Sequence, residues 1–396
     1  MTSPAELDGA IKKYESYVRA DPHNGLLWLA LGDSYHRVSR FDEAIASYER
    51  CLQEDPQQRG ARSSIALVRI SQHRFAEAAS LFSALLLDEP DNTSLLYNLG
   101  LALFYQDQWQ AAREQFSKTL SQGLKSTDVL AYLTRCLHHL GETREAIEFC
   151  TQWLALAQDD TSKATLSLLE MDDGNMPRAR ELAQQVLARD PDNVDASIVA
   201  GTSSVERQEM ENAERFFRRI LARQPDNPRA WLGIGIIHLY QQKHSEAITA
   251  LEKAVHLMPR NAGTIVALGW ARLSARDLRG AEKTFRQALD VDHNFAESHG
   301  GLATALALQA RVEEAHAAIR LANRLDPANF GGHFASIIIL KIRGRNELAT
   351  QQLTKLLEQA PVPGTPSLME HLRMFGTRQM QKSPPAGRHP PHGPRQ

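Results

Sequence analysis

Apolar residues recur along this chain at the spacing of helices, and the helices come in pairs. Trp28, Leu31, Gly32 and Tyr35 fall on one helix face, and Ala44, Tyr48 and Cys51 on the face of the next. The pattern returns as Leu96, Leu99 and Gly100 with Ala112 and Phe116. It returns again as Trp231, Ile234 and Gly235 with Ala247, Leu251 and Ala254, and as Ile265, Leu268 and Gly269 with Ala281, Phe285 and Ala288. Prolines punctuate the pairs at a period of 34 residues: Pro22, Pro56 and Pro90, then Pro191, Pro225 and Pro259. His293 takes the next place, and Pro327 and Pro361 complete the series. The interval from Pro90 to Pro191 is 101, three periods less one residue, so one unit has lost a residue.

The small residues set the geometry. Gly32, Gly100, Gly201, Gly235 and Gly269 share one place on the first helix. Ala44, Ala78, Ala112, Ala146, Ala179, Ala213, Ala247, Ala281, Ala315 and Ala349 share one place on the second. Two antiparallel helices approach closely only where side chains are small. An aromatic near the end of the second helix then fills the gap beside that contact. The proline that follows stops the helix, because it lacks an N–H and clashes with the preceding turn.

This pattern resembles the tetratricopeptide repeat family, which residues 25–58 match through Trp28, Leu31, Gly32, Tyr35, Ala44, Tyr48, Cys51 and Pro56. The resemblance implies an all-α fold: a right-handed superhelical solenoid of antiparallel helix pairs, each touching only its neighbours. It divides the chain into a half-repeat helix over 1–24 and ten tandem repeats over 25–363, with a bend expected near residue 158. A capping helix follows over 364–381, with Leu368, Leu372 and Phe375 on one face, and then a disordered proline-rich basic tail over 382–396. The match is weakest over 125–191, where Lys163, Ser167 and Glu170 replace apolar or small residues. That helix pair is the one expected to be displaced or mobile.

Composition narrows the function classes. The 396 residues carry 45 Lys and Arg against 47 Asp and Glu, a formal charge of −2. Such a balance argues against a general nucleic-acid binder, and no nucleic-acid partner is expected. Three cysteines, Cys51, Cys136 and Cys150, are too few for a disulfide scaffold. The N-terminus shows no signal peptide. The longest apolar run, Ile337 to Leu340, is broken at once by Lys341 and Arg343, so no membrane span is expected. These readings place the protein in the cytoplasm.

In the family that the pattern resembles, inward residues of the first helices form a ligand groove. Carried over by position, they are Leu29, Asp33, His36 and Arg37 in the first repeat and Tyr97, Leu101, Phe104 and Tyr105 in the third. In the seventh they are Arg229, Leu232, Ile236, Leu239 and Tyr240, and in the eighth Val266, Trp270 and Leu273. Two stretches are therefore apolar and aromatic, the chemistry of interface anchors. The resemblance implies a non-catalytic scaffold or adaptor that holds a peptide or helix of a protein partner there. By analogy it serves a multiprotein assembly such as a secretion or envelope-polysaccharide complex. The alternative packing of these side chains against the next helix stays open. Groove residues that hold acidic C-terminal peptides in some relatives are matched only by Asn98, so that ligand class is set aside.

Catalytic motifs are lacking, and no cofactor or metal site is expected. Two competing classes remain. One is a metal-assisted enzyme built near Cys136, His138, His139 and Cys150, whose spacing fits no zinc pattern. The other is a holding chaperone for secreted substrates. His299 and His333 share the place of Trp231 and read as core histidines. Asp172, Asp173, Gly174 and Asn175 read as a turn.

Overall fold

The computed structural model describes residues 4–358. All of its regular structure is helical: the described residues contain 21 α-helices and no strand. They fall into two compact units, Met1–Asp173 and Gly174–Gln396. The first holds α1 (Pro4–Ala20), α2 (Gly25–Arg37), α3 (Phe41–Glu54), α4 (Arg59–Ser71), α5 (Phe75–Asp88), α6 (Thr93–Phe104), α7 (Trp109–Ser121), α8 (Thr127–His139), α9 (Thr143–Ala157) and α10 (Asp160–Asp172). The second holds α11 (Met176–Leu187), α12 (Val194–Glu206), α13 (Met210–Arg223), α14 (Pro228–Tyr240), α15 (His244–Leu257), α16 (Ala262–Ser274), α17 (Leu278–Val291), α18 (Ala296–Leu308), α19 (Val312–Leu325), α20 (Phe330–Ile342) and α21 (Asn346–Glu358). Within each unit consecutive helices pack on one another. This is the solenoid of helix pairs that the periodicity predicts. The expected capping helix over 364–381 and tail over 382–396 lie outside the described residues.

Local chemistry starts and turns each pair. Most first helices begin at a side-chain cap. Asn92 accepts from the Leu95 amide at 3.2 Å, Asn227 from Ala230 at 3.0 Å and Asn261 from Thr264 at 2.8 Å. These bonds satisfy amides that have no partner inside the helix. Between the helices of a pair the chain turns through one residue of positive φ: Ser39, His73, Asp107, Gly141, Gly174, Gln208, Gln242, Arg276, Ala310 and Gly344. The step is 34 residues throughout, except for 33 between Gly141 and Gly174. The lost residue sits at the α9–α10 connection. There Gln158, itself at φ 53°, and Asp159 form a two-residue linker, where the other pairs are joined by four residues or more, such as Asp55 to Gln58. Asp159 still caps α10, accepting from Ser162 at 2.7 Å.

The glycine positions do what their size suggests, with one refinement. The aromatic of the second helix lies directly over the glycine and not merely beside it. A Cβ at Gly32 would stand 2.5 Å from the Tyr48 ring, at Gly100 2.8 Å from Phe116 and at Gly269 2.5 Å from Phe285. Gly235 meets Leu251 in the same way, at 2.5 Å. In the weak stretch α10 still packs on α9. It buries Leu166, Leu168 and Leu169, and Ser167 satisfies its buried hydroxyl by donating to the Ala164 carbonyl at 2.7 Å. The boundary between the two units falls just after this helix.

Among the described residues no helix is long and apolar enough to cross a membrane.

Candidate functional site

The residues expected on α6 are brought together with others into an aromatic cluster in the first unit. Tyr97, Leu101 and Phe104 lie on α6, and Tyr105 caps its C-terminal end. Phe104 meets Tyr105, Trp109 and Tyr132 edge-on, with ring centres 5.5, 5.0 and 5.1 Å apart. Tyr105 stacks on Phe75 at 5.0 Å and shares a hydrogen bond with the Tyr132 hydroxyl at 3.2 Å. Trp109 stacks on His139 at 4.1 Å, and Phe116 stacks on Tyr132 at 5.5 Å. Tyr105 is 50% exposed, and Tyr97, Phe104, Trp109 and Tyr132 are half-buried.

Burial pushes the Tyr97 hydroxyl up to about 12, with the Asp128 carboxylate adding to it. Burial, then the hydrogen bond to Tyr105, also raises Tyr132. Both phenols therefore stay neutral near pH 7 and retain a proton to donate. The Arg135 guanidinium lies 5.6 Å from the Tyr132 ring centre. The sequence reading missed Phe75, Trp109 and Tyr132. Phe75 and Trp109 stand at the first turn of second helices and Tyr132 on α8, all off the inward positions that the family pattern supplies. The heptapeptide Leu103 to Trp109, with three aromatics around a turn, was the available signal.

In the first repeat three of the four inward residues, Asp33, His36 and Arg37, are polar. Asp33 accepts from the Tyr48 hydroxyl at 2.8 Å, and Arg37 is exposed. His36 lies 3.0 Å from the Ser71 hydroxyl, and burial lowers its pKa. Leu29 is half-buried.

In the second unit Leu232, Ile236, Arg229 and Tyr240 are half-buried. Leu239, Val266, Trp270 and Leu273, expected on an open groove, are core residues instead. Trp270 is 2% exposed and sits edge-on to Phe285 at 5.7 Å and tilted against Phe330 at 6.0 Å. The cause is the small-residue content of α18 and α20. A Cβ on Gly331 would stand 2.4 Å from the backbone of Gly300, so these two first helices touch backbone to backbone. Thr304 Oγ1 bridges them by donating to the Gly331 carbonyl at 2.9 Å. Nothing can lie between helices this close, and α18 is buried continuously from Ser298 to Ala307.

The histidines and cysteines resolve into structural roles. His299 and His333 place Nε2 at 2.9 and 2.8 Å from the carbonyls of His293 and Pro327. Trp28 and Trp231 make the same bond with their indole N–H, to Pro22 at 2.8 Å and Pro225 at 2.7 Å. Each histidine thus substitutes a ring N–H for the tryptophan's. His138 turns to Asp172 at 2.7 Å. Cys136 and Cys150 are buried, and burial pushes the Cys136 thiol up to about 12, away from a thiolate ligand or nucleophile. Among the described residues no three His, Cys, Asp or Glu side chains come together as a metal ion needs. Gly174 serves its turn at φ 86°.

Three tetratricopeptide repeat family models match the chain: one over residues 36–100 and 170–235, one over 5–59, 97–161 and 266–330, and one over 228–261. No curated protein matches it in sequence. Solved structures similar in fold include a human IFIT1 dimer with m7Gppp-AAAA and a monomeric mutant of IFIT1 with Gppp-AAAA. Both have a TM-score of 0.54 at 15% identity. The first covers 97% of this chain and 96% of the other, the second 96% of each.

These structures overturn the expectation that excluded nucleic acid, since solenoids of the same fold hold capped oligonucleotides. The total charge was a poor guide because it averages unlike parts. Met1–Asp173 carries 16 Lys and Arg against 25 Asp and Glu, whereas Gly174–Gln396 carries 29 against 22. Local charge governs binding, not the chain-wide sum. The family models jointly span residues 5–161, 170–261 and 266–330 and agree with the helix pairs in the structure, so the chain belongs to the tetratricopeptide repeat family.

Proposed function

We propose that this protein is a non-catalytic scaffold that holds a partner polypeptide against the aromatic face of α6, α7 and α8. The observation that carries the reading is the cluster of Tyr97, Phe104, Tyr105, Trp109, Tyr132 and His139, whose rings support one another while Tyr105 remains half exposed. Rings already held by their neighbours lose little freedom on binding, so they serve as pre-organised anchors. Tetratricopeptide repeats are in general interaction scaffolds, and this cluster adds a candidate contact surface. Capped oligonucleotides belong among the ligands to be tried, because the IFIT1 structures hold them.

The test is photo-crosslinking from the full-length protein with benzoylphenylalanine in place of Tyr105. Leu87 on α5, 85% exposed and outside the cluster, is the control position. A polypeptide captured from position 105 and absent from position 87 supports the reading. Identical capture from both positions, or none from position 105, overturns it.

A further inference from the structure

The seam between α18 and α20 closes over a carboxyl group at its corner. Glu297 stands in the first turn of α18, partly buried, one turn before Gly300. Asp326 caps the C-terminal end of α19 beside it, and Asn329 caps the N-terminal end of α20. Asn329 is 1% exposed, and its Oδ1 accepts from the Gly332 amide at 2.7 Å. It lies so near α18 that a Cβ on Gly300 would collide with it. In the same turn Thr304 holds Gly331, and Phe330 reaches Trp270. The Glu297 carboxyl, the Asp326 carboxylate and the start of α20 therefore meet where the seam begins.

These groups work against closure. Burial raises the Glu297 carboxyl above its ordinary range and the Asp326 carboxylate raises it further, with a smaller opposing effect from the Asn329 side chain. Among the described residues no charged side chain of α16, α17 or α20 acts on it, and no Lys or Arg forms an ion pair with it. The histidines nearby are engaged elsewhere, His299 with the His293 carbonyl and His333 with that of Pro327. Two polar atoms on the packed helices, Ser298 Oγ and the Asn323 Oδ1 that faces Gly332, are buried without a hydrogen-bond partner. Such groups cost stability while the seam is shut and regain water when it opens.

We propose that Glu297 is a pH-sensitive catch on the α18–α20 seam, whose ionisation frees the first turn of α20 and uncovers Trp270. With the seam open, Glu297 meets water and titrates in the ordinary range, near about 4.3. With it shut, the proton is held more tightly. The stabilisation of the shut seam is therefore complete below the ordinary range and is lost as pH rises through the raised value. Release converts the buried indole of α16 into an accessible apolar contact. The device belongs to the second unit and does not depend on the platform of α6–α8.

The experiment labels the full-length protein with 5-fluorotryptophan and follows fluorine resonances from about pH 4 to 8. Trp270→Phe identifies the Trp270 signal among the five tryptophans. That signal is expected to titrate with a midpoint above the ordinary glutamate range, while the Trp231 signal stays still. Glu297→Gln should hold the Trp270 signal at its low-pH position throughout. Asp326→Asn, which keeps the carboxyl at 297 and removes the neighbouring charge, should move the midpoint down. Hydrogen exchange over residues 330–342, corrected for intrinsic rates, should rise about tenfold across the same transition in the wild type and stay flat in Glu297→Gln.

A Trp270 signal that does not move, or that titrates alike in Glu297→Gln, overturns the proposal. So does a midpoint indifferent to Asp326→Asn, or exchange over 330–342 that ignores the transition. A purely structural role for Glu297 would shift stability at every pH and leave the titration in place.

Discussion

The first helices of the two units solve one packing problem in opposite ways. In α6 the inward positions hold large rings, Tyr97 and Phe104, which meet Tyr132 of α8 across the gap between helices and leave Tyr105 half in solvent. In α18 and α20 the corresponding stretch holds Gly300, Thr304 and Gly331, and the backbones meet with nothing between. The same repeat therefore yields an aromatic platform in one place and a sealed seam in the other. Side-chain volume at a few positions decides which. Trp270 shows the consequence: an indole on the inward side of α16 becomes core, because the small residues at the α18–α20 seam let Phe330 of α20 reach it.

The comparison breaks most directly at Trp270. Trp270→Ala should lower unfolding stability by about 3–5 kcal/mol through loss of a buried ring. Tyr105→Ala, from the exposed platform, should lower it by less than about 1 kcal/mol. Urea unfolding of the two variants side by side checks this, and equal losses would erase the distinction between core and platform. Next in size is Gly331→Val, where the new side chain meets the Gly300 backbone and neither helix can give way. A cost of about 3 kcal/mol is expected. Gly100→Ala should cost less, because the Phe116 ring it meets at 2.8 Å can tilt.

A pH titration sharpens the platform side. Tyr97 is raised above the ordinary phenol range to about 12 by burial. The folded state therefore holds its proton more tightly than the unfolded chain. The stabilisation is fully present below about pH 10, and it is lost as pH rises from there towards 12. Ultraviolet tyrosinate absorbance should show a late-ionising phenol that Tyr97→Phe removes. The smallest effect lies in the turns. Ala310 holds φ 60° without a side chain that favours it, so Ala310→Gly should stabilise by about 0.5–1 kcal/mol. Asp107→Gly, from the first unit, should gain less, because Asp tolerates that conformation. Thermal melts of both variants order the two.

Much of the fold was legible in the residues. Gly32 over Tyr48 and Gly269 over Phe285 are local contacts between helices adjacent in sequence, so their periodicity reports them directly. The lost residue was countable from the prolines, but its location needed the backbone. Both Gly141 and Gly174 turn their pairs, and only the α9–α10 connection is short. Of the expected groove residues, Tyr97, Phe104 and Tyr105 took their place on a partly exposed face, whereas Leu239, Trp270 and Leu273 did not. Position within a repeat states which way a side chain points. It does not state how far away the next first helix stands.

The sequence by itself determined the repeat, the helix pairs, the caps and the turns, because each depends on residues within one period of each other. Tertiary structure alone decided which inward faces stay open. That depends on the summed volumes of side chains from helices a full repeat apart, and on where the chain divides into units. Rings hold α6 and α8 apart, and glycines let α18 and α20 close. Side-chain volume at these few positions, and no motif, makes the difference.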